Sequence, residues 1–257
     1  MFQKAQWIMC EKFETPVILR RFTLGDFTRA DLDITGLGYF EAYLNDQKIT
    51  EDMFLPAQTD YHSRNTRRFN YPITDRTRYR IHYLNFKVTH LLKKGENTLK
   101  IVLGNGWYRQ TRRSAEGDMC YDSALKALYE IHLESAAGET CICSDGSELY
   151  GESEILQSNL YYGETIDRRV QTRFTEKVKL TNIENTALTL QTCPGDRVVS
   201  ELEPKLVWRK GNTSIYDNGV NITGFVSVRT ACPAGQAVSL AFSENLNADG
   251  TDLDPRS

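Results

Sequence analysis

Arg29-Ala-Asp-Leu-Asp-Ile-Thr35, Gly36-Leu-Gly38, Tyr39-Phe-Glu-Ala-Tyr-Leu44 and Gln47-Lys-Ile-Thr50 together decide the fold class. In the first and third segments apolar side chains recur at every second position. That is the period of a strand with one buried face, not the 3.6 of a helix. Gly36-Leu-Gly38 breaks the alternation, and Asn45-Asp46 is a hairpin-turn signal. The stretch therefore predicts strand, break, strand, tight turn and a short returning strand.

The same period continues on both sides. Pro16-Val-Ile-Leu-Arg-Arg-Phe-Thr-Leu24 precedes the stretch, and Thr98–Leu103, Leu125–Glu134 and Glu139–Cys143 follow it. Val88-Thr-His-Leu-Leu-Lys-Lys-Gly95 predicts one helical turn closed by glycine. A second cycle runs through Leu188–Leu190, Val198-Val199, Leu206–Trp208, Thr213–Tyr216, Gly224–Arg229 and Ala237–Phe242, with turns at Cys193–Asp196 and Pro233–Gly235. Many short strands joined by turns predict an all-β chain of two β-sandwich, jelly-roll-like domains. The boundary is expected at 185/186. The second domain, 186–257, is short for a sandwich, and Asp249–Ser257 ends it without a closing strand, so it reads as incomplete. Met1 lies just before the first strand and reads as the native start.

Composition narrows the function classes. The 257 residues are 40% hydrophobic and 25% charged, which is globular and not disordered. A net charge of −3 and a pI of about 5.9 argue against a nucleic-acid-coating protein. No apolar run approaches the roughly 20 residues of a membrane-spanning helix, and no secretory signal opens the chain. Cys10, Cys120, Cys141, Cys143, Cys193 and Cys232 show no C-x-x-C and no zinc spacing. Reduced cysteines in a cytoplasmic protein are the expectation. Charge is uneven: residues 60–113 carry 13 Lys/Arg against 3 acids, and residues 114–167 carry 12 acids against one Lys. The basic stretch reads as the solvated side of a sheet that the acidic stretch lies beside.

Catalytic signals are sparse. Glycoside hydrolysis needs two opposed carboxylates, and no spacing singles out a pair, although Glu130, Glu134 and Glu154 read as strand-borne acids. Asp249-Gly-Thr-Asp-Leu-Asp lacks the spacing of an EF-hand. The most informative local feature is Leu103-Gly-Asn-Gly-Trp-Tyr108, where an amide sits beside adjacent aromatics just after a strong strand. Stacking plus amide hydrogen bonds is a common grip on a sugar, so Asn105, Trp107 and Tyr108 are the candidate carbohydrate-binding residues. Packing of these aromatics around a bulge is the competing reading.

Several runs resemble one family. Gly36-Leu-Gly-Tyr-Phe-Glu-Ala-Tyr-Leu-Asn45 resembles the G-L-G-Y-Y-E-x-x-L-N segment of the amino-terminal domain of bacterial α-L-rhamnosidases. Val88–Asn97 with Leu103–Tyr108 resembles its V-T-D-L-L-x-x-G-E-N … L-G-N-G-W-Y run, and Tyr161–Asp167 with Arg169 its Y-x-G-E-T-x-D-A-R signature. Tyr216–Gly219 and Asn221–Gly224 are similar to F-D-x-G-Q-N-x-x-G-W. Pro233–Gly235 and Glu244–Thr251 are similar to G-P-A-G … A-E-x-L-N-x-D-G-T. Gln58 stands where the family has an aromatic, Val220 where it has Gln, and Phe225 where it has Trp. Ser63–Tyr83 looks like an insertion.

The resemblance implies an accessory piece of an inverting glycoside hydrolase that removes terminal α-L-rhamnose from glycosides or polysaccharides. The catalytic (α/α)6 barrel is expected to be absent from this chain and to be its partner. The fragment is expected to scaffold that barrel or to assist carbohydrate binding, with no catalytic residue and no metal ligand of its own to assign. Some relatives bind rhamnose with calcium on an accessory sandwich, so calcium stays open as a cofactor, as does a homodimer. Neither nucleic acid nor a membrane is expected as a partner. A stand-alone rhamnose-binding module and a basic-faced interaction domain are the alternatives.

Overall fold

The computed structural model describes residues 2–61, 79–110, 119–183 and 186–254. Eleven strands lead: β1 (Trp7–Cys10), β2 (Pro16–Leu24), β3 (Arg29–Leu37), β4 (Tyr39–Leu44), β5 (Gln47–Lys48), β6 (Arg80–Lys87), β7 (Gly95–Gly104), β8 (Arg109–Gln110), β9 (Met119–Cys120), β10 (Leu125–Ser135) and β11 (Gly138–Cys143). Eight follow: β12 (Leu149–Glu152), β13 (Ile155–Asn159), β14 (Gly163–Ile166), β15 (Glu176–Lys177), β16 (Lys179–Thr181), β17 (Ala187–Leu190), β18 (Lys205–Lys210) and β19 (Thr213–Asp217). The helical turn expected at Val88–Gly95 is a 3-10 turn over Thr89–Leu91.

Two large sheets build the first unit, beside the two-stranded pairs β8–β9 and β13–β14. Sheet 1 runs β16-β1-β10-β3-β6-β17, with β11 also paired to β10, and sheet 2 runs β15-β12-β2-β7-β4-β5. Alternation explains the sandwich. Asn97, Leu99, Ile101 and Leu103 of β7 are buried between exposed or half-buried neighbours. Leu125, Ala127, Tyr129, Ile131 and Leu133 of β10 join the same hydrophobic core from the other sheet. Burying a Leu or Ile side chain contributes roughly 1.5–3 kcal/mol, so these two strands alone hold much of the interior. Asn45 and Asp46, at φ 50° and 65°, make the β4–β5 hairpin turn. Glu176–Thr181 joins sheet 2 as β15 and sheet 1 as β16, with Val178 buried between them. That stretch closes one edge of the sandwich.

The first compact unit extends through Arg197, and the second covers Val198–Ser257. The division thus lies beyond the expected 185/186 boundary. The physical reason is β17, which pairs parallel to β6 through Leu188↔Ile81 and so belongs to sheet 1. In the second unit β18 and β19 form an antiparallel hairpin around buried Ile215, and Leu246 bridges Leu253. The expected strands at Gly224–Arg229 and Ala237–Phe242 carry no strand among the described residues, and Phe225, Val228, Leu240 and Phe242 are exposed. Alternation specifies which side chains share a face, but a strand also needs a neighbour to take its backbone hydrogen bonds. Most of the arginine-rich stretch from Ser63 lies outside the described residues, which resume at Tyr79.

Candidate functional site

The segment after β7 sends three side chains within four residues to three places. Asn105 is 2% exposed. Its Nδ2 donates to the Ser158 carbonyl at 2.7 Å and to the Glu14 carboxylate, and its Oδ1 accepts from Arg109 Nε at 2.6 Å. Arg109 is itself buried and donates to the Ser123 carbonyl at 3.0 Å and to the Glu14 carbonyl and carboxylate. Asn105 therefore ties the end of β7 to the β13–β14 hairpin and to the loop before β2.

Tyr108 is fully buried. Its ring stacks on Tyr121 at 5.7 Å, and Tyr61 meets both edge-on at 5.3 and 5.1 Å. Lys126, on the side of β10 facing away from the sandwich interior, lies 5.3 Å from the Tyr108 ring centroid and donates to its hydroxyl at 3.1 Å. The same ammonium reaches Asp122 at 2.5 Å. Burial pushes the Asp122 carboxyl up, and the Lys126 contact with nearby backbone N–H groups outweighs it, leaving the group below its ordinary value. Asn105 and Tyr108, two of the three candidate sugar-binding residues, are thus taken up inside the unit.

Trp107 is half-buried and points elsewhere. Its ring stands at right angles to Tyr161, 6.0 Å away, and it lies close enough to Tyr39 to perturb that hydroxyl. Tyr39 in turn lies 5.6 Å from Phe54. Tyr161 is 53% exposed, and Phe54 and Tyr162 are exposed beside it. The surface around Trp107 is aromatic, and its members come from β4, the loop after β5, the end of β7 and the β13–β14 turn. Sequence reasoning named Trp107 and missed Tyr39, Phe54 and Tyr161, which are distant in the chain and meet only through the β4–β7 register Tyr39↔Gly104.

A second concave region lies on the outer face of sheet 1. It has a volume of about 550 Å³ and a polar floor. Register places Asp33 between Glu130 on β10 and Asn85 on β6. Asp33 accepts from Asn85 Nδ2 at 2.7 Å and lies 3.2 Å from His132 Nε2. The acids weighed from the sequence are all engaged. Glu130 accepts three backbone N–H bonds, Glu134 faces Arg29 at 3.4 Å and Glu154 faces Arg168 at 3.2 Å. Among the described residues no group of three or more His, Cys, Asp and Glu side chains is arranged to hold a metal ion, so no calcium site is assigned.

The model of the α-L-rhamnosidase N-terminal domain family matches residues 25–206. The chain belongs to that family. Rhamnosidases are also its relatives along the sequence. An α-L-rhamnosidase of Formosa agariphila is 27% identical over 245 residues, covering 89% of this chain and 24% of that protein. One of Streptomyces avermitilis is 28% identical over 237 residues, covering 87% and 21%. The chain spans about a quarter of the length of these curated relatives. The Aspergillus terreus α-L-rhamnosidase superposes with a TM-score of 0.70 at 24% identity, over 84% of this chain and 26% of that one. The Streptomyces avermitilis enzyme complexed with L-rhamnose gives 0.66 at 24% identity, over 80% and 20%. These structures share the fold of the rhamnosidase N-terminal region.

Proposed function

We propose that this chain serves an α-L-rhamnosidase as a non-catalytic accessory unit. It scaffolds the catalytic part and assists the binding of L-rhamnosides. Family membership over residues 25–206 is the observation that carries this reading. The chemistry of the acids supports it. Inverting hydrolysis needs a general acid and a general base roughly 6.5–9.5 Å apart across a pocket that holds sugar and water. Glu130, Glu134 and Glu154 are instead committed to backbone amides or to arginines. The purified chain is expected to give no turnover of an aryl α-L-rhamnoside above background. Turnover abolished by one carboxylate substitution within the chain would place an active site here and refute the proposal.

Carbohydrate assistance centres on Trp107, because Asn105 and Tyr108 are buried inside the unit. Stacking of a sugar ring on an aromatic contributes on the order of 1 kcal/mol beyond area burial, so a dissociation constant of about 1 mM is expected, near −4 kcal/mol. Calorimetric titration with L-rhamnose should show that weak binding in the chain and lose it in Trp107→Ala. Equal heats in both proteins would place the sugar away from Trp107, and no heat in the unaltered chain would leave scaffolding as the whole role.

A further inference from the structure

We propose that residues Phe2–Gln6 form a releasable strap across the outer face of sheet 1, latched by the carboxylate of Glu130. The contacts run crosswise to the strands. Phe2 meets Tyr83 of β6 edge-on at 5.2 Å. The backbone N–H groups of Gln3, Lys4 and Ala5 all donate to one oxygen, Glu130 Oε2 of β10, at 2.9, 3.1 and 3.2 Å. Gln6 N–H donates to the Ser144 carbonyl at 2.8 Å, and Ser144 Oγ returns a bond to the Gln6 carbonyl at 2.7 Å. In sheet order β10-β3-β6, the segment between Tyr83 and Glu130 must pass over β3.

Apolar burial does little to hold the strap. Gln3, Lys4 and Gln6 are exposed, while Phe2 and Ala5 are only half-buried, so it buries little apolar surface. Glu130, by contrast, is 1% exposed beneath it. A buried carboxylate accepting three N–H bonds is a strong, charge-assisted anchor, and it is the term that the strap would lose on release. Gln3 and Lys4 also form one wall of the polar groove that holds Asp33 and His132. Glu130 lines the same groove, and an open strap therefore widens it there.

Groups from every neighbouring element face the latch. His132 Nδ1 lies 3.8 Å from Glu130 Oε1. Cys143 of β11 and Asp33 of β3 are its cross-strand partners, and Cys141 of β11 lines the same groove. Lys4 sits on the strap itself. Burial pushes the Glu130 carboxyl up, but the three N–H groups and His132 outweigh it and hold the group below its ordinary value of 4.5. A lowered value means the latch is fully present above the ordinary carboxyl range. It is lost as pH falls through the lowered value.

Two measurements test the strap. Trypsin cleaves after Lys4 only when the segment is open. Release of the four-residue N-terminal peptide, followed by mass spectrometry, should be at least about tenfold faster in Glu130→Ala than in the unaltered chain, because opening free energy sets the rate. An unchanged rate overturns the proposal. Should Glu130→Ala fail to fold, the unaltered chain decides by NMR. The amides of Gln3, Lys4 and Ala5 should shift together with one midpoint below 4.5. Independent responses, or none, overturn it equally.

Discussion

Asn105→Ala is expected to destabilise the first unit by about 3–4 kcal/mol, a large part of the roughly 5–15 kcal/mol that holds a domain together. The substitution removes three hydrogen bonds at once. It strands Arg109 Nε and the Ser158 carbonyl in a site that is 2% exposed at Asn105 and 7% at Arg109. A buried neutral group left unpaired costs about 1–3 kcal/mol, and a charged one costs more. The Glu14 carboxylate also loses a donor, though Arg109 still faces it at 3.3 Å. Trp107→Ala, two residues on, should cost only about 1–2 kcal/mol, since that side chain is half-buried and its main contact is edge-on. Denaturant unfolding of the two variants measures the contrast. Similar losses would mean that Asn105 is not the internal tie described above.

The fold was legible where a strand has one buried face and one wet face. The alternating runs Pro16–Leu24 and Tyr39–Leu44 coincide with β2 and β4, end to end. β6 was not legible, because Arg80-Ile-His-Tyr-Leu-Asn-Phe-Lys87 follows an arginine-rich stretch. Its outward side chains line a polar groove and do not contrast with an apolar face. β17 was read as part of a second domain, since nothing in Ala187–Leu190 reports that its partner is β6 in parallel.

The site was half legible for a similar reason. An amide beside two aromatics marks a special backbone, yet the pattern does not say which side chain faces inward. Asn105 turns in because Arg109, four residues on, needs an acceptor for its buried Nε. Tyr108 turns in because Lys126, itself 2% exposed, needs a ring and a hydroxyl over its ammonium. Only Trp107 remains near solvent. Glu130 was visible as a strand-borne acid. Its burial depends on a non-periodic segment more than a hundred residues away, which no local pattern records.

Gly38→Ala is expected to cost more than about 3 kcal/mol, and a matched glycine separates its two causes. Gly38 sits at φ +95°, between β3 and β4, where a Cβ would lie 2.0 Å from the Gly104 carbonyl oxygen and 3.1 Å from that of Asn105. The first obstacle is conformational, since a non-glycine residue in such a region costs of order 1–3 kcal/mol. The second is steric. The nearest atoms belong to backbone, so no side-chain rotation relieves the clash. β4 would have to move away from β7 where Tyr39 pairs with Gly104. That pairing also brings Tyr39 to Trp107, so the substitution disturbs the aromatic surface as well as the sheet. Gly95 has nearly the same backbone angle, φ +92°, but a Cβ there meets nothing within 4 Å. Gly95→Ala should therefore show the conformational cost alone, about 1–2 kcal/mol. The excess in Gly38→Ala measures the close approach of β4 to β7. If both substitutions cost the same in urea unfolding, the chains are not held in contact at that point, and the tight coupling of the Gly36–Gly38 and Leu103–Tyr108 segments is wrong.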